Sequence, residues 1–94
     1  MVVNVEYITN VREVTKKQAE KIELEDYSTA RDLIEKLIAN YGPKFKETIF
    51  PAGGDKVGVY IGILAKEGFL ALDKLDANLN DGDTVLIGTL LMGG

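Results

Sequence analysis

Cysteine and histidine are both missing from this sequence of 94 residues. Their absence excludes disulfides, zinc sites built on thiolate or imidazole ligands, and catalytic triads that use either residue. No apolar run approaches the roughly 20 residues that a membrane-spanning helix needs. We therefore expect neither a metal site nor a membrane partner.

Positive charge is also scarce. The chain has 11 Lys and Arg residues against 15 Asp and Glu residues, which gives a net charge of −4. Because phosphate contacts need a basic surface, we do not expect a nucleic-acid partner. An acidic surface would instead steer a basic partner. Residues 1–6 are too few and too charged for a signal peptide, so we expect a cytoplasmic location.

The remaining composition is that of an ordinary globular protein, with 46% apolar and 28% charged residues. It predicts one domain over residues 1–94. Alternating patterns predict strands over 2–8, 19–25 and 57–64, and short apolar segments predict two more over 69–72 and 84–87. Residues 10–17 and 44–56 are interpreted as irregular connections.

One helix is clearly predicted between the second and third strands. Ser28 or Thr29 can cap it, with Asp32 three residues after Thr29, and Gly42-Pro43 ends it. Its apolar stripe has helical spacing and is formed by Ala30, Leu33, Ile34, Leu37, Ile38 and Tyr41. The order of elements predicts an α+β fold in which this main helix packs on one face of a mixed sheet. The last strand is expected beside the first, in the middle of the sheet.

Two polar stretches have three possible chemical roles between them but are better explained as turns. A calcium loop beginning at Asp76 would need Gly at its sixth place and Glu at its twelfth, where the sequence has Asp81 and Ile87. Residues 53–56 lack the spacing of a phosphate-binding loop and the Ser or Thr after its Lys. Asp81 and Asp83 could form an acid–base pair, but no other catalytic partner accompanies them.

The most unusual stretch is the predicted flexible tail, residues 88–94, which is apolar and ends on two glycines. Gly93 has no side chain and can pass through a narrow slot, and the carboxylate of Gly94 is unhindered. Our hypothesis is that this carboxylate is the reacting group and is presented to other enzymes. Exposed apolar side chains usually mark a partner surface, although here they could instead fold back on their own sheet. The side chains concerned are Leu90, Leu91 and Met92.

The sequence resembles the MoaD/ThiS family of sulfur carriers, which are ubiquitin-like β-grasp proteins. The resemblance covers nearly the whole chain in the order of its elements. It rests on Val-Arg-Glu at 11–13, Ser-Thr-Ala-Arg-Asp-Leu at 28–33, Leu-Asn-Asp-Gly-Asp-Thr-Val at 79–85 and the terminal Gly93-Gly94. The length and the first of these stretches are closer to MoaD, the small subunit of molybdopterin synthase. The chain departs from the family at residues 88–92, where MoaD tails often carry prolines, and at 65–68, where a Val-Asn-Gly hairpin is common.

The resemblance implies a carrier that is not an enzyme by itself. A ubiquitin-activating-type enzyme, MoeB-like or ThiF-like, would use ATP to adenylate the Gly94 carboxylate, and a sulfur donor would convert it to a thiocarboxylate. A large, MoaE-like synthase subunit would then accept the tail and pass sulfur to a pterin precursor. The carrier itself would bind no cofactor, because ATP belongs to the activating partner.

Three other functions remain open. One is a ubiquitin-like modifier joined through Gly94 to lysines of target proteins, and another is a sulfur carrier for thiamine, cysteine or tRNA thiolation. The third is a pure interaction module with an incidental terminus. The oligomeric state is not predicted by the sequence.

Overall fold

Five strands form one mixed sheet in the computed structural model, which describes residues 1–54, 57–65, 68–71 and 75–88. Three helices pack against one face of that sheet. The elements, in chain order, are β1 (Val2–Ile8), α1 (Asn10–Thr15), β2 (Ala19–Glu23), α2 (Ala30–Tyr41), α3 (Pro43–Ile49), β3 (Tyr60–Ala65), β4 (Gly68–Ala71) and β5 (Thr84–Gly88).

The strand order in the sheet is β2-β1-β5-β3-β4. Strands β1 and β5 run parallel, whereas every other neighbouring pair is antiparallel. The α+β class and the central position of the last strand beside the first are therefore confirmed. Strand β5 continues one residue beyond its predicted end, so Gly88 belongs to the sheet and not to the tail.

Helix α2 begins where the capping pattern predicts. The hydroxyl of Thr29 accepts a hydrogen bond from the backbone N–H of Asp32, and the Asp32 carboxylate accepts one from the N–H of Thr29 at 2.8 Å. This reciprocal pair satisfies two backbone donors that a helix start otherwise leaves open. Thr29, and not Ser28, is therefore the capping residue. Four residues of the predicted stripe are fully buried, namely Ala30, Leu33, Ile34 and Leu37.

Two predicted connections are short helices. Helix α1 buries Val11 and Thr15, and α3 buries Phe45 and Ile49, so each places an i,i+4 pair on the core. Pro43 is the first residue of α3, a position that tolerates proline because its missing N–H would have no helical partner. The interpretation of 10–17 and 44–56 as irregular was therefore wrong in these parts.

Strand β3 begins at Tyr60, three residues later than predicted. A side chain at Gly58 would collide with the ring of Pro51, because a Cβ there would lie 2.4 Å from the proline Cγ. The chain therefore crosses close to the preceding turn before it enters the sheet.

The core lies between the sheet and the helices. Alternate residues of the two central strands point into it, and all five are fully buried: Val3, Val5, Tyr7, Val85 and Ile87. Burial of one such aliphatic side chain stabilises the fold by about 1.5–3 kcal/mol.

A polar network ties β2 to α2 at the rim of this core. The Glu20 carboxylate accepts hydrogen bonds from the Tyr7 hydroxyl at 2.5 Å and from the Tyr41 hydroxyl, and its other oxygen lies 3.2 Å from the Lys17 ammonium. The Tyr41 ring stacks on Phe45 with centroids 5.8 Å apart. The polar side-chain atoms of this network therefore have hydrogen-bond partners, which buried polar groups require.

The network shifts the pKa of its members. Burial is the largest influence on Glu20 and would raise its pKa, but the hydrogen bonds from Tyr41, Tyr7 and Lys17 together outweigh it and lower the pKa. Burial, followed by the Glu20 carboxylate, raises the pKa of Tyr7 and of Tyr41. The ionised carboxylate and the neutral phenols are therefore the favoured forms.

The first prediction concerns acid stability. A depressed folded pKa stabilises the fold above the unfolded value of about 4.3, and this contribution is lost as the pH falls through the folded pKa. The Glu20→Gln variant lacks this ionisable carboxylate and therefore its pH-dependent stabilisation. Between about pH 5 and pH 3, the free energy of unfolding should decrease less for this variant than for the wild type, with a difference of roughly 1 kcal/mol. Urea denaturation at several pH values measures this. The exposed Glu47→Gln variant is the control, and an identical pH dependence for Glu20→Gln and the wild type would contradict the prediction.

Candidate functional site: the root of the C-terminal tail and the outer sheet face

The tail leaves the fold from the middle of the sheet. Strand β5 has β1 on one side and β3 on the other, and its last residue, Gly88, lies opposite Ile8 and opposite Tyr60. A strand with neighbours on both sides has its backbone donors and acceptors satisfied along both edges. The last described residue before the tail is therefore firmly held.

Gly88 cannot be replaced without a steric conflict. Its φ is +155°, a backbone conformation that other residues rarely adopt. A Cβ at this position would lie 2.2 Å from the carbonyl oxygen of Ile8 and 2.4 Å from its side-chain Cγ1. The oxygen belongs to the neighbouring strand and cannot move without disturbing the ladder. Glycine at position 88 therefore sets how β5 ends and where the tail starts.

An apolar patch covers the outer face of the sheet beside this exit, on the side away from the helices. Tyr60 and Leu64 of β3 are 47% and 48% exposed, and Ile8 and Leu86 are partly exposed. The register brings them together, because Leu86 pairs with Gly62, midway between Tyr60 and Leu64 on β3.

Single exposed apolar residues are ordinary, but a contiguous group on three adjacent strands is typical of a surface that meets a partner. Asn4, Glu6 and Thr84 supply a polar rim on the same face. We define the outer patch as Ile8, Tyr60, Leu64 and Leu86. It lies beside Gly88, the last described residue of β5.

The acidic turn before β5 has a structural role. Asp81 accepts a hydrogen bond from the N–H of Val2 at 2.7 Å, and Asp83 accepts one from the N–H of Asn80 at 2.8 Å. Gly82 has a φ of +85°, which suits the predicted turn. Among the described residues, no group of three or more acidic side chains is placed to hold a metal ion. The interpretation of this stretch as a turn is therefore confirmed.

The predicted reacting and binding residues lie outside the described part of the chain. These are Leu90, Leu91, Met92, Gly93 and Gly94. Their roles stay predictions, as does the flexibility of the tail. In the part of the chain that the structure describes, no helix is long and apolar enough to cross a membrane.

The outer patch and the constraint at Gly88 were not predicted from the sequence. The sequence did contain a signal for the patch. Val85, Leu86 and Ile87 are apolar without alternation, so both faces of β5 carry apolar residues. On β3, Tyr60 and Leu64 lie at even positions, on the face opposite to Ile61 and Ile63. Such a pattern is typical of a strand that is covered on both faces. The constraint at Gly88 left no signal, because it depends on pairing with a strand about 80 residues earlier in the chain.

No protein-family model and no curated protein matches the sequence. Solved structures do match. A protein from Pyrococcus furiosus, provisionally named molybdopterin converting factor subunit 1, is 28% identical with a TM-score of 0.72, and the match covers 95% of this chain and 98% of that one. The small archaeal modifier protein 1 (SAMP1) from Methanosarcina acetivorans is 26% identical with a TM-score of 0.65, over 99% and 96% of the two chains.

The chain has the ubiquitin-like β-grasp fold. Its structural neighbours include MoaD-type and SAMP-type proteins, which confirms the resemblance predicted from the sequence. A third structural match to this β-grasp protein is a chain from the complex of subunits 1 and 2 of molybdopterin-converting factor from Helicobacter pylori. It matches over 100% of both chains with a TM-score of 0.62. At 20% identity, this last match shows the fold alone.

The second prediction tests the constraint at Gly88. The Gly88→Ala variant should lower the free energy of unfolding by at least about 2 kcal/mol, because strain and a backbone collision act together. Gly53→Ala is the matched control, since Gly53 also has a positive φ, +76°, but open space around its Cβ position. It should cost only about 1 kcal/mol. Urea denaturation gives both values, and equal losses would show that the collision with Ile8 does not matter.

Proposed function

We propose that this protein is a sulfur carrier of the molybdopterin synthase small-subunit type. It carries sulfur as a thiocarboxylate on Gly94 for the synthesis of a molybdenum or tungsten cofactor. The observation that carries the proposal is the placement of β5, which brings the chain end out of the middle of the sheet beside an apolar patch. The similarity to the Pyrococcus furiosus protein supports the same function.

The length of the tail fits this role. Six residues follow Gly88, and an extended chain of six residues spans about 20 Å. That reach is enough to enter a recessed active site while the sheet remains outside. The two terminal glycines need the least space of any residues, and the chain has no cysteine that would compete for sulfur.

The proposed chemistry needs no catalytic group from this chain. In the adenylating partner, a carboxylate oxygen of Gly94 attacks the α-phosphorus of ATP, and pyrophosphate leaves. A sulfide-level sulfur donor then attacks the acyl carbon, AMP leaves, and the C-terminal thiocarboxylate remains. The large subunit of the synthase accepts the tail and transfers the sulfur to a pterin precursor. This chain supplies the acyl group and the docking surface.

The docking surface in this proposal is the outer patch together with the tail residues Leu90, Leu91 and Met92. A complex of subunits 1 and 2 is recorded for the Helicobacter pylori neighbour, which supports a second subunit as a partner here. Both partners need the same tail, so they bind this chain one after the other.

A second function is favoured by the similarity to SAMP1 of Methanosarcina acetivorans, which is named as a modifier protein. In that case the activated carboxyl of Gly94 forms an isopeptide bond with lysines of other proteins. Gly-Gly remnants on lysines of cellular proteins after proteolysis would identify this function. Sulfur transfer to thiamine, cysteine or tRNA pathways would use the same thiocarboxylate and is distinguished by the accepting enzyme.

The third prediction tests the proposed chemistry. After incubation with the cognate adenylating enzyme, ATP and a sulfide source, intact mass spectrometry should show the mass gain of one sulfur-for-oxygen exchange at Gly94. Omission of ATP, or addition of one alanine after Gly94, should abolish the gain. An unchanged mass with an enzyme that is active on another carrier would overturn the proposal. Retention of full cellular function after deletion of Gly93 and Gly94 would instead favour an interaction module.

The fourth prediction concerns the outer patch. Leu86→Asp places a charge at its centre and should weaken binding to the adenylating enzyme or the large subunit by more than about tenfold, because a buried unpaired charge is costly. Thr84→Asp changes the polar rim on the same strand and should change the affinity less than about threefold. Isothermal titration calorimetry measures both, with thermal unfolding as a check on folding. Equal affinities for the two variants would place the docking surface elsewhere.

A further inference from the structure

Strand β2 is an edge of the sheet, and half of its backbone groups point away from β1. The backbone N–H of Leu24 donates to the carbonyl of Met1 at 2.8 Å, and the backbone N–H of Tyr7 donates to the carbonyl of Gln18 at 2.9 Å. In an antiparallel ladder, hydrogen-bonded pairs alternate with non-bonded pairs. The N–H and C=O groups of the intervening odd positions therefore point outward. These positions are Ala19, Lys21 and Glu23.

One of these outward acceptors is already occupied by a cation. The ammonium of Lys36, on α2, donates to the carbonyl oxygen of Glu23. This contact shows that the acceptor points into the space between β2 and α2, where the N–H of an added strand would lie. Lysines along an edge also protect it from unspecific strand pairing. Lys36 therefore occupies one hydrogen-bonding position that a specific partner would use.

An open groove of about 780 Å³ lies between the end of β2 and the start of α2. Four carboxylates line it, from Glu23, Glu25, Asp26 and Asp32, against Lys36 and the amino group of Met1. Asp32 caps α2 and Asp26 lies 3.3 Å from the Met1 amine. The side chains of Glu23 and Glu25 make no hydrogen bond or ion pair with other residues that the structure describes. The groove therefore keeps an excess of negative charge.

We propose that the β2 edge and this groove bind an extended, basic segment of a partner protein by β-strand addition. The unpaired backbone groups of β2 favour an extended chain, because main-chain hydrogen bonds supply the affinity in this binding mode. The carboxylates of the groove favour lysine or arginine side chains over acidic ones.

This surface is separate from the root of the tail. Strand β1 lies between β2 and β5, and the groove borders the end of the sheet where β1 starts, whereas the tail leaves from the opposite end. A basic segment can therefore bind while another protein holds the outer patch and the tail. The inference goes beyond the sulfur-carrier function and does not depend on it.

The probe is an acetylated and amidated eight-residue peptide of alternating lysine and valine, added to the isotope-labelled full chain. Bound peptide should slow hydrogen exchange at the amides of Ala19, Lys21 and Glu23 and shift their NMR signals. The same peptide with glutamate in place of lysine should bind at least about tenfold more weakly. Equal binding of the two peptides, or protection at other amides, would overturn the proposal.

Two substitutions at one position separate backbone from side-chain effects. Lys21→Pro removes an outward N–H without breaking the ladder to β1. This variant should therefore bind the lysine–valine peptide about tenfold or more weakly than the wild type does. Lys21→Ala keeps the N–H and should bind the peptide at least as tightly as the wild type. If both variants bind with the same affinity, no strand is added at this edge.

Two surface variants keep the test independent of the folding of the proline variant. Lys36→Met removes the competing donor and one repelling charge, so the peptide should bind more tightly than to the wild type. The double variant Glu23→Gln, Glu25→Gln keeps the shape of the groove and removes two carboxylates, so binding should weaken severalfold. An unchanged affinity in both would show that the groove does not contribute, and the proposal would be wrong.

Discussion

The parallel pairing of β1 with β5 is the contact on which the rest of the structure depends. It joins the beginning of the described chain to its end, with Asn4 opposite Thr84 and Ile8 opposite Gly88. Because the paired residues are far apart in sequence, the pairing forms only when the intervening chain folds around it, and loop closure of this length costs conformational entropy. Burial of Val5 against Val85 and of their neighbours offsets that cost. The same pairing fixes the place where the tail leaves the fold.

Strand β5 serves stability and recognition with alternate residues. Val85 and Ile87 are fully buried in the core, and Leu86, between them, lies on the outer face. Since successive side chains of a strand point to opposite faces, a short segment can anchor the sheet and also present a docking residue beside the exit of the tail. A shift of one residue in its register would exchange these two roles. The pairing of β5 on both edges opposes such a shift.

The two ends of the sheet have different chemistry. At one end, Gly88 passes between Ile8 and Tyr60 in an apolar setting. At the other end, Asp26 accepts a hydrogen bond from the amino group of Met1, Asp81 accepts one from the N–H of Val2, and the carboxylates of Glu23 and Glu25 lie nearby. The net charge of −4 is therefore not spread evenly over the surface. The acidic groove and the exit of the tail therefore lie at opposite ends of the sheet.

Much of the fold follows from local patterns in the sequence. Helix α2 was predictable because 12 residues carry three turns of the apolar stripe and a capping pair at Thr29 and Asp32. Helices α1 and α3 were not, because six and seven residues are too few for a period to be recognised. Their helical state is decided by the burial of Val11 and of Phe45 with Ile49.

For the candidate site, the sequence by itself predicted the chemistry of the tail, since its apolar residues and its two glycines are properties of composition and order. The tertiary structure alone decided the surroundings of that tail. The outer patch, the constraint on Gly88 and the free edge of β2 all arise from the order and register of strands that are distant in sequence. Register is set by which faces become buried when the whole sheet forms. For this reason, no window of neighbouring residues contains that information.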